Sequence, residues 1–166
     1  MIWVNELEQA IRFDKQLEPK RLELHISETL DKIEATARKL AFAVHDIGFV
    51  RARAVFERYW TGMSSEIQED TEVGGYITSL TIEREMSYAF KYTIKLITTE
   101  NGIMVNKKYR YTFTDTRENE ARLFAFSHLE LEKFNNPVFL KEFVDRIMFD
   151  FVHCYREFLT TDIGRI

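Results

Sequence analysis

The residues of this sequence that are best spaced for chemistry lie near its C-terminus: Asp150, His153, Cys154 and Glu157. If this stretch is helical, His153 and Glu157 stand one turn apart and can share a proton or a metal ion. The structural alternative makes His153 and Glu157 a surface ion pair and Cys154 a small buried apolar residue. Because such spacing is frequent in ordinary helices, we favour the structural alternative.

Other catalytic signals are missing from the sequence. It contains no phosphate-binding loop, no dinucleotide fingerprint, no nucleophile elbow, no zinc-binding helix motif and no pair of cysteines. We therefore predict that the protein is not an enzyme and uses no cofactor and no metal. The single cysteine indicates a reducing, cytoplasmic compartment, and the short apolar runs predict neither export nor membrane insertion.

A second candidate site is a basic sheet face. Six cations alternate with other residues in segments predicted as strands, so their side chains project to one side. They are Arg51, Arg53, Lys91, Lys95, Lys108 and Arg110. A protein partner can relieve the repulsion among these cations, and so can acidic side chains of neighbouring strands. The structural alternative is a face that serves solubility and blocks edge pairing.

A third candidate site is an apolar pocket between the sheet and the C-terminal helix. Rings from both elements converge there: Tyr92, Tyr109, Tyr111, Phe143, Phe151 and Tyr155. Buried tyrosines need partners for their hydroxyls, and a curved sheet that grips a helix can leave a small-ligand cavity. A filled core is the structural alternative.

The first 26 residues are predicted to form a helix and a short strand. Residues 1–18 make an N-terminal helical segment that ends before Pro19. One face of this helix carries Trp3, Leu7, Ala10, Ile11 and Asp14. Residues 20–26 alternate polar and apolar side chains, which favours a strand, although their apolar residues also fit a helix.

The next segment predicts a helix, a strand and a loop. A helix over residues 28–47 stops at Gly48, and its seam fits packing on a sheet better than a coiled coil. The seam is made of Leu30, Ile33, Ala37, Leu40, Val44 and Ile47. Residues 49–60 alternate and predict a strand. Residues 61–75, which are rich in acidic residues, serine and glycine, predict a mobile acidic loop.

A hairpin is predicted around Asn101-Gly102. This dipeptide favours a two-residue turn, because it tolerates the positive φ angles that such a turn requires. The turn places Tyr92 opposite Tyr111 on the core face of the hairpin.

The remaining elements complete the predicted fold. Residues 76–84 predict a strand, residues 121–132 predict a strand that is partly helical or covered on both sides, and Asn136-Pro137 begins a long helix. We therefore predict an α+β fold: an antiparallel β-meander of about five or six strands packed against a long C-terminal helix, with one or two N-terminal helices. Residues 1–166 are expected to form a single domain.

Composition agrees with a chain that folds without help from metals or disulfides. Of its 166 residues, 45% are hydrophobic, 30% are charged and 14% are aromatic, which excludes a disordered chain. The formal net charge of −4 argues against nucleic-acid binding through bulk charge.

We predict from these features a non-enzymatic protein–protein interaction or assembly protein that acts through a sheet face and a helix surface. Its partner is another protein or a second copy of itself in a homo-oligomer. Trp3 and Trp60 are candidate interface anchors, since large aromatic residues often carry interface energy. Core packing is their structural alternative.

Two alternative functions remain open from the sequence. The order of elements resembles in outline that of helix-grip proteins, in which a long C-terminal helix lies across a curved antiparallel sheet. This resemblance implies a small apolar ligand in a pocket under the helix; the two N-terminal helices are additions to that pattern. A weaker alternative is a nucleic-acid-binding accessory protein that uses the basic sheet face.

Overall fold

The computed structural model describes residues 1–70, 74–84, 88–112 and 116–163. The chain forms two compact units, residues 1–32 and residues 33–166, and each is described by itself. The expectation that residues 1–166 make a single domain stays a prediction.

Helix occupies the N-terminal third of the chain. Its 55 consecutive residues comprise α1 (Ile2–Ala43), a π-helical segment (Val44–Phe49) and α2 (Val50–Phe56). The strands predicted over residues 20–26 and 49–60 are therefore wrong, and so is the helix end before Pro19. Pro19 removes the hydrogen bond to the carbonyl of Lys15 and its ring crowds that carbonyl, but the helix continues past it.

A helical period explains why residues 49–60 do not form a strand. Phe49 is fully buried, and Ala52 and Phe56 pack against the same core at the spacing that one helix face presents. The alternation of arginine and apolar residues covers too few positions to exclude that helical period.

Gly48 does not end the helix, so the predicted helix stop at this residue is wrong. Instead, it lies where two helical elements approach each other closely. It lies in the π-helical segment, where the N–H of Val50 bonds to the carbonyl of His45, five residues earlier. A Cβ at position 48 would lie 2.7 Å from Sδ of Met148. The missing side chain therefore lets the π-helical segment approach the C-terminal helix.

Five antiparallel strands form one sheet in which neighbours in space are neighbours in sequence. The strands are β1 (Met63–Glu69), β2 (Gly75–Arg84), β3 (Tyr88–Thr99), β4 (Gly102–Thr112) and β5 (Thr116–Ser127). A 3-10 segment (His128–Asn135) and α3 (Pro137–Ile163) follow them. The predicted α+β meander with a long C-terminal helix is confirmed.

The edge strand β1 lies inside the segment predicted as a mobile acidic loop, residues 61–75. Its inward side chains are only half-buried, and just two of them, Met63 and Ile67, are large and apolar. An edge strand of this polarity gives almost no apolar alternation, so its composition indicated a loop.

The hairpin turn lies one residue earlier than predicted. Thr99 pairs with Gly102, so Glu100 and Asn101 form the turn. Gly102 has a φ of +156°, and a Cβ there would lie 1.8 Å from the carbonyl oxygen of Phe126 on β5. Glycine is required at this position by close backbone approach rather than by the turn itself.

The earlier turn changes the strand register but not the face that each residue occupies. Tyr92 pairs with Tyr109 rather than with Tyr111, and Lys95 pairs with Asn106 rather than with Lys108. Partners therefore shift by two positions, and a two-residue shift leaves every side chain on its predicted side of the sheet.

The core of the larger unit lies between the sheet and the helices. One face of α3 is buried, including Phe143, Val144, Ile147, Phe151, Cys154 and Phe158. This face meets buried strand residues such as Phe90 and Tyr92, together with Phe49 of the π-helical segment. Four of the six seam residues, Ile33, Ala37, Leu40 and Val44, are also buried in the core, whereas Leu30 and Ile47 are each 42% exposed.

The smaller unit, residues 1–32, is helical throughout its described length after Met1. Its large apolar side chains are mostly exposed: Ile2, Trp3, Leu7, Ile11, Phe13, Leu22, Leu24, Ile26 and Leu30. An ion pair of 2.9 Å joins Asp14 to Arg21, two turns further along the helix.

Candidate functional site

The C-terminal residue cluster divides between the interior and the surface. Asp150 and Cys154 point toward the sheet, where Cys154 is 1% exposed. His153 and Glu157 form a surface ion pair with 3.2 Å between Nε2 and Oε1. Among the described residues, no group of three or more His, Cys, Asp or Glu side chains is arranged to hold a metal ion.

Asp150 joins α3 to two strands. Its Oδ2 accepts a hydrogen bond of 2.7 Å from the Tyr92 hydroxyl on β3, and its Oδ1 lies 2.8 Å from Nζ of Lys107 on β4. Cys154, one helical turn after Asp150, lies 3.7 Å from the same Nζ. We call these four residues the Asp150 cluster.

Three groups of the Asp150 cluster, Tyr92, Lys107 and Cys154, have a raised pKa. Burial raises the pKa of Cys154 to about 11, and the neighbouring Asp150 acts in the same direction. Burial and the hydrogen bond to Asp150 raise the pKa of Tyr92 far above its usual range. Burial disfavours the charge on Lys107, but the bond to Asp150 outweighs it and the pKa of Lys107 is raised. A buried thiol with a raised pKa is a poor nucleophile. These properties favour a role in stabilising the fold over a role in catalysis.

Acidic side chains lie close to several cations of the predicted basic sheet face. Arg51 and Arg53 lie on α2, not on a strand; Arg53 contacts Ser65 of β1 at 3.3 Å and Glu57 at the same distance. Lys91, Lys95, Lys108 and Arg110 do share the outer face of β3 and β4. Glu118 of β5 lies 3.6 Å from Lys108 and 4.0 Å from Arg110, and Glu120 lies 3.8 Å from Lys95. In the described part of the chain, carboxylates of β5 thus provide counter-charges for three of these four cations.

The six residues of the predicted apolar pocket lie in four surroundings. Tyr92 and Phe151 are buried and pack edge to face with ring centroids 5.4 Å apart. Tyr155 is half-buried against Phe90. Tyr109 and Tyr111 stack side by side and line an open groove of about 430 Å³ with His153 and Arg156. The sixth residue, Phe143, lines a different groove.

That second groove, which we call the phenylalanine groove, lies between β5, the 3-10 segment and α3. It has a volume of about 470 Å³. Its aromatic lining residues are Phe124, Phe126, Phe134, Phe139, Phe143 and Phe149, and its charged lining residues are Lys133, Glu142, Asp145 and Arg146. The groove therefore has an aromatic floor and a charged rim.

The aromatic rings that form the floor of the phenylalanine groove pack against one another. Phe124 and Phe126 project from the same side of β5 and stack with centroids 5.5 Å apart. Phe134 and Phe143 meet Phe126 edge to face at 5.1 and 6.0 Å. Such offset and edge-to-face contacts are the favourable arrangements of aromatic rings.

The rim of the phenylalanine groove combines exposed rings with cations. Phe149 is 76% exposed and Phe139 is 43% exposed. Nζ of Lys133 lies 4.8 Å from the centroid of Phe126, and the guanidinium of Arg146 lies 5.8 Å from that of Phe124. Both distances fall within the range of cation–π attraction.

Sequence reasoning missed this groove because three separate elements build it. The phenylalanines of residues 121–132 and α3 were visible as apolar residues, but their spacing only indicated burial. Phe149 has no such signal, since the helical period places it off the buried face of α3. The relation of β5 to α3, which places these rings together, is a tertiary contact that spacing along the chain does not contain.

Comparison of the chain with protein-family models, curated proteins and solved structures finds no match. Within the part of the chain that the structure describes, every helix falls short of the apolar length that crossing a bilayer requires.

Proposed function

We propose that this protein is a non-enzymatic interaction protein that binds an apolar segment of another protein in the phenylalanine groove. The observation that carries the proposal is the exposure of aromatic rings around a preformed floor, with Phe149 76% exposed. Val138 of α3 and Leu129 of the 3-10 segment, two elements that line the groove, are also exposed, at 60% and 81%. Exposed apolar surface that clusters in one place is typical of interaction sites.

The edge of β5 supports an extended segment as the partner. In the described ranges, β5 pairs with β4 alone, so its other side has backbone groups available to a further strand. Residues 116–122 carry charges toward both faces, a pattern that discourages pairing, whereas Leu123–Phe126 carries none. The uncharged part of the edge is the part that borders the groove.

The lining of the groove supports a partner with one large apolar side chain. Six rings offer contact area for an aromatic or aliphatic group, and anchors of this type dominate binding energy in many interfaces. The outer sheet face is a weaker candidate for the binding surface, because carboxylates of β5 already pair with its cations.

Selection from a library of displayed random peptides tests the proposal. Peptides enriched on the full chain should contain a large apolar residue, and Phe149→Gln should weaken their binding by about tenfold or more. Tyr59→Gln is the matched control, since Tyr59 is 74% exposed and does not line the groove. Affinity is measured by calorimetry or fluorescence anisotropy with the enriched peptides.

Two results would contradict the proposal. One is enrichment of peptides whose binding responds equally to Phe149→Gln and Tyr59→Gln. The other is native mass spectrometry of the purified protein that shows a reproducible small-molecule adduct lost in Phe149→Gln, which would favour the small apolar ligand instead. The volume of the groove, about 470 Å³, lies within the range of small-ligand sites, so this second result has a physical basis.

A further inference from the structure

The groove beside the two stacked tyrosines, which we call the tyrosine groove, is separate from the phenylalanine groove. Its volume of about 430 Å³ falls within the range of small-ligand sites. Tyr109 and Tyr111 of β4 form its floor, and its remaining lining residues come from α3: His153, Arg156, Glu157 and Thr160. Among the described residues none lines both grooves, so a ligand of the tyrosine groove is independent of the segment proposed for the other one.

The floor of the tyrosine groove suits a planar ring. The rings of Tyr109 and Tyr111 are parallel to within 10°, with their centroids 6.4 Å apart. Tyr111 also packs against Phe158, a core residue that is 1% exposed, at a centroid distance of 5.5 Å. Both tyrosines are half-buried, so each is supported by the fold and is still open to the groove. Contact with a further aromatic ring is an interaction that such rings favour.

The floor also provides two hydroxyl groups for hydrogen bonds to a ligand. Asn119 of β5 donates a hydrogen bond of 3.0 Å to the Tyr109 hydroxyl oxygen, so the hydroxyl hydrogen of Tyr109 remains available. In the described ranges the Tyr111 hydroxyl has no hydrogen-bond partner. Both hydroxyls can therefore donate to oxygen atoms of a ligand.

The charges around the tyrosine groove favour an anion. Within the part of the chain that the structure describes, the guanidinium of Arg156 forms no ion pair, whereas the carboxylate of Glu157 is paired with His153 at 3.2 Å. Arg117 of β5 is the cross-strand partner of Tyr111. Because directly opposite residues project to the same side of a sheet, Arg117 adds a second guanidinium on the side of the groove. Positive charge that lines one side of a groove attracts anionic ligands.

We propose that the tyrosine groove binds a small molecule in which a planar aromatic ring carries an anionic group. The ring packs against Tyr109 and Tyr111, and the anion pairs with Arg156. A guanidinium is well suited to this role, because it can bind a carboxylate or a phosphate through two parallel hydrogen bonds. Nucleotides and aromatic carboxylates share this chemistry.

Calorimetric titration of the full chain tests the proposal and distinguishes the two sources of ligand. The probes are adenosine 5′-monophosphate and indole-3-carboxylate, each compared with its uncharged counterpart, adenosine or indole. At least one anionic probe should bind with saturation and at least about tenfold more tightly than its counterpart, because only the anionic probe uses both the rings and Arg156. The probe that binds identifies the source as a nucleotide or an aromatic carboxylate.

Two substitutions separate the contributions of the anion and the ring. Arg156→Gln should weaken the anionic probe by about tenfold or more and leave its uncharged counterpart unchanged. Tyr109→Leu should weaken both, since both have the ring. Lys141→Gln is the matched control, because it also removes one exposed positive charge from α3 but does not line the groove. Arg156 and Lys141 are both exposed, so their replacement should leave the fold intact, which circular dichroism checks.

Three outcomes would overturn the proposal. The first is the absence of saturable binding of both anionic probes at concentrations up to about 10 mM. The second is an uncharged counterpart that binds as tightly as the anionic probe. The third is an equal loss of affinity in Arg156→Gln and Lys141→Gln, which would reduce the effect of Arg156 to overall charge. None of them bears on peptide binding in the phenylalanine groove, which is measured separately.

Discussion

At the scale of single residues, Asp150 is a polar residue with a large expected effect on stability. Its carboxylate accepts a hydrogen bond from the Tyr92 hydroxyl and forms an ion pair with Lys107. Removal of the carboxylate would leave both groups without this partner. Tyr92 is 0% exposed, so water cannot replace the lost bond. Asp150 therefore connects α3 to both β3 and β4.

We expect Asp150→Ala to lower the free energy of unfolding by about 2 kcal/mol, because it leaves the buried Tyr92 hydroxyl without its acceptor and a partly buried Lys107 ammonium without its carboxylate. Urea denaturation followed by circular dichroism measures the change. His153→Ala is the control from the same helix; its exposed pair with Glu157 should contribute about 0.5 kcal/mol or less. Equal losses in the two variants would mean that the Asp150 cluster does not stabilise the fold.

The same cluster predicts a loss of stability in alkaline solution. The folded pKa of Cys154 is raised from 9.0 to about 11, so above pH 9 the folded state binds more protons than the unfolded state. The stabilisation is complete below pH 9 and falls as the pH rises toward 11, and Tyr92 and Lys107 act in the same direction. For Cys154 alone, a shift of this size corresponds to about 2–3 kcal/mol.

Denaturation curves between pH 8 and pH 11 measure this dependence. Cys154→Ala should flatten the slope, although the variant starts from a lower stability because it leaves a small cavity. An unchanged slope in Cys154→Ala would show that the thiol does not titrate differently on folding.

At the scale of elements, the hairpin between β3 and β4 depends on Gly102 more than on the turn itself. We expect Gly102→Ala to lower the free energy of unfolding by about 2 kcal/mol or more, because its Cβ would meet the Phe126 carbonyl oxygen. Asn101→Ala is the neighbouring control, since the Asn101 side chain is exposed, and it should change stability by about 0.5 kcal/mol or less. Thermal melting of both variants decides the point, and a smaller effect at Gly102 would contradict it.

The hairpin also shows which features of the fold can be predicted from the sequence and which cannot. Alternation in β3 and β4 identified both strands and the correct face for their residues from 89 to 112, because a period of two is a local property. The register was wrong by two positions, since it depends on how closely β5 approaches Gly102. The position of β5 is a tertiary property, and the sequence of the hairpin alone does not determine it.

The N-terminal third shows the opposite limit. Residues 49–60 alternate like a strand and also carry apolar residues at helical spacing, and tertiary packing of Phe49 and Phe56 selects the helix. The phenylalanine groove was missed for a similar reason, because its rings come from three elements. Sequence periodicity identifies which residues are apolar and which face they share, but it does not identify which elements meet.

At the scale of the whole molecule, the two units should differ in local stability. Strands β2, β3 and β4 are paired on both sides and include many fully buried residues, so their amides open only in global unfolding. Residues 1–32 bury no residue fully, and a helix without a buried apolar face has little stability beyond its own propensity. Local opening in the N-terminal unit should therefore cost much less free energy than opening of the sheet.

Amide hydrogen exchange of the full chain measures this difference. In dilute solution residues 1–32 should exchange within seconds to minutes while β2, β3 and β4 stay protected, because only the strands combine paired backbone with fully buried side chains. Protection of residues 1–32 as strong as that of β2, β3 and β4 would contradict the expected difference in local stability.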